Sequence, residues 1–136
     1  MIILKVLWQL PQIILGALFL AFCFIIGKFH GDRKEIEWEG KKYYFWQINW
    51  RGVGVSLSEY FMIMSYHYNY NVHVHEIGHA IKSKKQGLFY LLLSGIPSAF
   101  RNILNRIFKF GPEWYYGKYP EKQANDEVGL TIEDLL

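Results

Sequence analysis

The hydrophobic residues of this chain are concentrated at its start. Residues 1–27 contain a single charge, Lys5, and residues 13–26 form a nearly unbroken apolar run. A helix over residues 6–27 is long enough to cross the hydrocarbon core of a bilayer, which is roughly 30 Å thick. The pattern therefore predicts a membrane anchor over residues 1–28.

Three other interpretations of this segment stay open. A cleaved signal peptide needs a small-x-small cleavage site, but none precedes Lys28. It also begins with a positively charged region, which in this chain contains only Lys5. Lipidation of Cys23 needs a small residue before the cysteine, where this chain has Phe22. A monotopic hairpin would break the helix at Pro11 and Gln12 and return to the same leaflet.

Aromatic and β-branched segments follow the anchor and predict strands. Residues 36–39 and 42–48 flank Gly40 and predict a hairpin with aromatic cross-strand packing. Residues 53–64 predict a third strand. Helical periodicity then begins after a polar, aromatic link at residues 66–70.

A second apolar tract occupies residues 87–110 and is interrupted by Gly95 and Pro97. Its first part, residues 88–96, is too short to span a bilayer. The next part has apolar and polar sides, formed by Phe100, Ile103, Leu104, Ile107 and Phe108 and by Arg101, Asn102, Asn105, Arg106 and Lys109. This pattern fits an interfacial helix at the lipid headgroups, and it equally fits a core helix of a small domain.

Candidate chemistry lies between the strands and this tract, in an H-E-x-x-H motif. Residues four apart lie on one face of a helix, so His75 and His79 can direct two imidazole nitrogens at one metal ion. Glu76 leans over the same site, where it can take a proton from water. Two surface histidines are the alternative, but the small residues Gly78 and Ala80 would let the helix pack tightly.

The residues just before the motif define the start of this helix. Asn69 or Asn71 can cap its N-terminus, because a side-chain oxygen there can accept a hydrogen bond from a free backbone N–H. His73 is two residues before the first candidate ligand and is therefore turned about 200° away from the ligand face. We expect His73 to be a packing or surface residue.

A catalytic zinc site needs a third protein ligand, and Glu121 is the candidate. Four residues later stands Asn125, which could accept the free ring N–H of a ligand histidine and so orient it. Asp126 could take that role only if the helix were rotated or irregular. The alternative for Glu121 is an ordinary acid in the first turn of a helix that follows Pro120.

Six sequence blocks occur in an order that resembles a known family. The blocks are residues 10–16, 54–58, 75–83, 87–91, 95–98 and 121–125. Together they resemble small, mostly uncharacterised membrane-associated proteins of Bacteroidetes-like bacteria that carry a gluzincin-type zinc metallopeptidase signature. That family usually has H-E-x-G-H followed by Gln-Ser, and later E-K-W-A-N, where this chain has Lys82 and Gln123 at variable places.

The resemblance covers nearly the whole chain and implies a site and a fold. By resemblance, His75, His79 and Glu121 are the ligands of Zn²⁺, and Glu76 is the catalytic carboxylate. The expected fold is α+β. A transmembrane or monotopic helix comes first, followed over residues 29–136 by a minimal zincin-like domain of a short antiparallel sheet and metal-binding helices.

Composition and charge support a membrane-linked protein. Of the 136 residues, 51% are hydrophobic and only 20% are charged, a balance that is unusual for a water-facing domain with one modest core. The net charge of +3 is spread without a basic stripe, so we expect no nucleic-acid partner. Basic residues are more frequent after the apolar run than before it. The positive-inside rule then predicts that the catalytic part lies on the cytoplasmic side, and the resemblance implies that the membrane is the bacterial inner membrane.

These features predict a membrane-anchored zinc metalloendopeptidase that hydrolyses peptides or proteins at the lipid bilayer. Glu76 would act as the general base, and an exposed strand edge beside the metal helix could pair with extended substrate. A donor for the oxyanion is also required, and His67 or a tyrosine among Tyr66, Tyr68, Tyr116 and Tyr119 could supply it. The alternative is a non-catalytic membrane protein whose metal site is structural or vestigial and serves partner binding.

Overall fold

The computed structural model describes residues 2–51, 53–117 and 119–135, which form an α+β fold, as predicted. In chain order the elements are α1 (Ile2–Trp8), α2 (Leu10–Ile25), β1 (Phe29–Trp38), β2 (Lys41–Ile48), β3 (Gly54–Ser56), β4 (Met62–Ser65), α3 (Tyr70–Gln86), a 3-10 turn (Gly87–Phe89), a π-helical segment (Leu91–Gly95), α4 (Ile96–Phe108), α5 (Pro112–Tyr116), α6 (Glu121–Val128) and α7 (Ile132–Leu135).

The predicted hairpin forms between β1 and β2. The two strands pair antiparallel, and Trp38 lies opposite Lys41 at the turn. Glu39 and Gly40 both have positive φ angles there, 49° and 74°, which give the tight reversal that a right-twisted hairpin requires. The strand β1 begins already at Phe29, so the hairpin is longer than the sequence indicated.

The predicted single strand over residues 53–64 is wrong. The chain instead forms β3 and β4, which pair antiparallel around a turn at Ser58, a residue with φ of 77°. Because the chain runs along the sheet edge in β3 before it turns back, β4 runs parallel to β2. The strand order of the described sheet is β1-β2-β4-β3, so the sheet is mixed rather than antiparallel and β3 lies at an edge.

Helices cover both faces of this sheet. On one face, Phe45, Met62 and Met64 pack with Ile77 and Ala80 of α3. The buried ring of His73 also belongs to this layer, because it meets Phe45 edge-on at 4.8 Å. It is therefore a packing residue, as predicted. On the other face, α2 buries Cys23 against Ile48 and Ile63.

The predicted single helix over residues 6–27 is also wrong. It breaks at Gln9 into α1 and α2, which are bent by 81°. One cause is Pro11, which has no N–H to donate and whose ring excludes the preceding helical turn. The second is a buried polar contact, in which Ser83 Oγ donates to Gln9 Oε1 at 2.7 Å and accepts from Gln12 Nε2 at 2.9 Å. No single described helix has both the length and the hydropathy of a membrane span. The bent pair α1 and α2, taken together, has both.

The tract over residues 87–110 does not form a core helix. None of the described residues of α4 is buried, and its apolar side faces outward. Phe100 and Ile107 are more than 60% exposed. Of the two interpretations of this tract, the core helix is therefore wrong.

Candidate metal centre

The helix α3 presents two histidines on one buried face. It begins after Asn69, whose side chain accepts a hydrogen bond from the N–H of Val72 at 3.1 Å, so Asn69 is the cap. The rings of His75 and His79 stand perpendicular, with centroids 4.9 Å apart. Each Nε2 lies 2.8 Å from Oε2 of Glu121. The structure thus brings together the three residues predicted as ligands.

Close packing of α3 on α6 brings Glu121 to the histidines. A Cβ at Gly78 would overlap the backbone carbonyl oxygen of Ala124, so only glycine fits at this position. Gly78 lies between His75 and His79 in sequence, and Ala124 follows Glu121 by three residues. The crossing point of the two helices is therefore next to the three polar groups.

The hydrogen bonds of His75 leave a conflict that a cation would resolve. Its Nδ1 lies 2.6 Å from Oδ1 of Asn125, and because an amide oxygen can only accept, Nδ1 carries the proton. A neutral His75 then has only a lone pair at Nε2, and this lone pair faces Oε2 of Glu121, which also has only lone pairs. At 2.8 Å, two such atoms are compatible only if a proton or a metal ion lies between them.

Electrostatics keeps the carboxylate of this cluster charged. Burial opposes ionisation of Glu121, but His79 and His75 outweigh it and hold the pKa of Glu121 well below its ordinary value. Burial favours the neutral form of His79, but Glu121 raises the pKa of His79 to about 9. The ligand atoms of the three buried residues lie within 4.8 Å of one another. A metal ion that displaced the histidine protons would meet two imidazoles and an ionised carboxylate, a donor set that fits a divalent ion.

Of the two residues predicted to orient a ligand, only Asn125 reaches the site. Asp126 is exposed, and its carboxylate lies 3.3 Å from Lys122 Nζ, one helical turn away. The reason is helical geometry, because consecutive residues are turned about 100° from each other and α6 is regular here. The amide at 125 can still accept the ring N–H of His75, although it adds no charge.

Glu76 lies beside the cluster, at the wall of a cavity of about 350 Å³. His79 lines the same cavity, and β3 forms part of its rim. The Glu76 side chain is only 7% exposed, and burial raises the pKa of its carboxyl. A buried carboxyl with a raised pKa is a stronger proton acceptor, which suits a general base next to a metal ion.

Of the predicted oxyanion donors, Tyr116 meets the ring of His75 edge-on, with centroids 5.0 Å apart, whereas His67 and Tyr119 lie away from this cavity. The ring of His67 contacts that of Tyr66 at a tilt of 36°, with centroids 3.9 Å apart, and Tyr119 is 43% exposed. Neither residue belongs to the cavity lining formed by the described residues. The lining includes Tyr115 instead. Its hydroxyl lies 3.4 Å from Asn102 Nδ2, which can donate to it and leave the phenol proton available. Sequence alone offered no signal for Tyr115, because α5 and α3 are distant in the chain.

Ser98 is a further residue that the sequence did not single out. Its hydroxyl donates to Oε1 of Glu121, the carboxylate oxygen that does not face the histidines. Ser98 belongs to α4, so this helix directly contacts the group of candidate metal ligands. The only signal in the sequence was its place in the block at residues 95–98.

A methyl group at Gly78 should separate α3 from α6. In an exposed helix, Gly→Ala stabilises by about 1 kcal/mol, but here the overlap with a backbone carbonyl should give a net destabilisation of about 1–3 kcal/mol. We expect Gly78→Ala to lower the midpoint of denaturant unfolding and to weaken metal binding. Gly95→Ala is the control, because its Cβ would lie 3.1 Å from the terminal Cδ2 of Leu91, which can move. A Gly78→Ala protein that is more stable and binds metal normally would contradict this packing.

No family model, curated protein or solved structure matches this chain. The resemblance to the gluzincin-type family therefore stays a prediction. The geometry of the cluster, independent of any relative, is what bears on the chemistry of the site.

Proposed function

We propose that this protein is a membrane-anchored zinc metallopeptidase with a zincin-like, gluzincin-type site. One observation carries the proposal. The side chains of His75, His79 and Glu121 converge in a buried group whose potential ligand atoms lie close enough together to bind one cation, beside a cavity lined by the buried carboxyl group of Glu76. The proposed cation is Zn²⁺, for which two imidazoles and one carboxylate are a common catalytic donor set.

When bound, zinc would supply Lewis acidity that polarises a peptide carbonyl and acidifies water. The protein's own groups would move the proton. Glu76 takes it from the attacking water and later delivers it to the leaving amine. The phenol of Tyr115 can donate a hydrogen bond to the developing oxyanion, since Asn102 occupies its acceptor side.

The edge strand β3 supports a peptide as the substrate. It lies at one end of the described sheet and lines the cavity together with Glu76. A Cβ at Gly54 in this strand would come 3.4 Å from Oε1 of Glu76, so the strand passes close to the proposed base. An extended peptide that added to this edge would bring its backbone past the same carboxyl.

A structural metal site is the second candidate function, and it would require a closed shell of four protein ligands. Addition of a fourth ligand, such as His67 or Asp126, to the three would close the shell. The group of potential ligands among the described residues consists of His75, His79 and Glu121 alone. The three-residue group and the adjoining cavity favour the catalytic proposal.

Membrane anchoring is part of the proposal, with the bacterial inner membrane as the site and the catalytic part on its cytoplasmic side. The sharp bend between α1 and α2, together with the packing of α2 on the sheet, supports the monotopic alternative. A helix that buries one side against the protein can present only its other side to lipid.

Metal removal tests this proposal. Purified protein should contain close to one equivalent of zinc and cleave members of a random peptide library. Activity should disappear after chelation and return when zinc is added back. The assay is zinc content by elemental analysis with mass spectrometry of the peptides. Protein with a full equivalent of zinc that cleaves no peptide would refute the enzymatic part of the proposal.

A further inference from the structure

The helix α4 has two sides with different surroundings. Its outward side carries the exposed residues Ile96, Phe100, Ile103, Ile107 and Phe108. Its inward side holds the site, because Ser98 donates to Glu121 and Asn102 contacts the hydroxyl of Tyr115. One amphipathic helix therefore links the protein surface directly to a candidate metal ligand.

The outward side of α4 belongs to a larger apolar surface. Exposed apolar residues continue along the tract before it, at Leu88, Phe89, Leu92 and Leu93, and over α1 and α2, at Ile2, Ile3, Leu4, Leu7, Ile14, Leu15 and Leu18. The two parts meet where Gln12 Nε2 donates to the carbonyl oxygen of Gly87 at 2.9 Å. The Trp8 side chain lies against the same glycine. We call this set of residues the apolar surface.

Charge selects what this surface binds. All 12 acidic residues of the chain lie outside residues 1–28 and 87–112. These two segments carry basic residues alone, namely Lys5, Lys28, Arg101, Arg106 and Lys109. An apolar surface whose own segments carry basic but no acidic side chains complements a bilayer with anionic headgroups. A second copy of the chain fits less well, because the basic side chains of the two copies would repel each other.

The position of α4 depends on contacts at its ends and on its polar side. None of its described residues is buried, so little of its apolar area holds it to the protein core. Arg101 attaches it to α5 through the carbonyl oxygen of Trp114, and Ser98 attaches it to Glu121. Burial of its outward side in lipid would add the hydrophobic contribution that the protein itself does not supply.

We propose that the apolar surface docks on an anionic bilayer, and that docking fixes α4 so that Ser98 holds Glu121 in its metal-binding position. Ser98 is then a positioning residue that makes zinc affinity depend on the membrane. This proposal rests on the proposed function in two respects, the zinc ligands His75, His79 and Glu121 and the membrane contact of α1 and α2. Coupling of two sites is reciprocal, so zinc should also strengthen the docking of α4.

Zinc affinity in two kinds of vesicle tests the coupling. The full-length protein is reconstituted in phosphatidylcholine vesicles with or without phosphatidylglycerol, and zinc binding is measured by competition with a chelator. We expect binding about 10-fold tighter with the anionic lipid, since a residue that supports a metal ligand typically contributes 10- to 100-fold. Ser98→Ala should lose this lipid dependence, and Ser98→Thr, which keeps the hydroxyl, should retain it.

Ser94→Ala is the matched control. Its hydroxyl lies on the same tract but donates to Gln86 at 2.7 Å, so this variant should keep the lipid dependence. A double variant, Phe100→Ser with Ile107→Ser, removes apolar area from the outward side and leaves Ser98 in place. It should bind zinc equally in both kinds of vesicle.

Hydrogen exchange of the amides in residues 98–108 tests docking by a measurement that requires neither bound zinc nor peptide hydrolysis. We expect slower exchange in anionic vesicles than in phosphatidylcholine, and still slower exchange when zinc is added. Equal exchange in both kinds of vesicle would overturn the docking of α4 on anionic lipid. That result is also the one expected if a second copy of the chain, rather than lipid, covers the apolar surface. Equal zinc affinity of wild type and Ser98→Ala in anionic vesicles would overturn the coupling while leaving the proposed peptidase intact. Absence of zinc binding in both kinds of vesicle would overturn the coupling and the proposed zinc peptidase together.

Discussion

Glu76→Gln is expected to keep its zinc and to lose peptide hydrolysis by about 10²- to 10⁴-fold, the usual contribution of a general base. Glutamine has nearly the same shape and can occupy the same buried position at the cavity wall. It cannot take a proton from water. Because burial already disfavours the charged form of Glu76, a neutral amide should not destabilise the fold. The thermal midpoint should therefore be unchanged or higher.

The measurement is kcat/KM on a cleaved library peptide, with zinc content determined on the same sample. Glu113→Gln is the matched control, since Glu113 is an exposed acid in the first turn of α5. This control should keep both zinc and activity. If Glu76→Gln carried a full equivalent of zinc and cleaved peptide as fast as wild type, another group would be moving the proton and the proposed mechanism would fail.

Glu121→Ala is expected to weaken zinc binding by more than about 100-fold, because even the loss of a residue that only supports a ligand costs 10- to 100-fold. Removal of this carboxylate takes away a charged oxygen that lies 2.8 Å from both histidines. Two imidazoles then remain, and they cannot hold the ion as a site of three protein ligands does. Peptide hydrolysis should be lost together with the zinc.

Competition with a chelator of known affinity measures this effect, and Asp126→Ala is its control. Asp126 lies on the same helix, but its exposed carboxylate pairs with Lys122, so zinc binding should be unaffected. Equal zinc affinity in Glu121→Ala and wild type would mean that a different set of residues holds the metal. The convergence of the three side chains would then have no functional meaning.

Local spacing predicted the parts of the site that lie within one helix. His75 and His79 share a face because any regular helix brings residues four apart together. Asn69 caps this helix because a side-chain oxygen there can reach the first free N–H groups. The hairpin of β1 and β2 was predicted for a similar reason, since its strands are separated only by a tight turn.

Two elements whose geometry depends on distant contacts were predicted wrongly. The apolar start of the chain reads as one long helix, but Ser83 draws Gln9 and Gln12 to the end of α3 and the helix bends. Residues 53–64 read as one strand, but they fold back at Ser58. In both segments the sequence pattern correctly indicated apolar residues. Contacts with other parts of the fold determined where each segment bends.

The sequence by itself determined the donor types, the helical pairing of His75 and His79, and the proximity of Glu76 to them, because these follow from the periodicity of a single helix. Only the tertiary structure decided that Glu121, 42 residues beyond His79, completes the group and that Ser98 connects it to the surface. The physical reason is packing. The distance between α3 and α6 is set by the missing side chain at Gly78, and no local pattern specifies which segment will lie against that glycine.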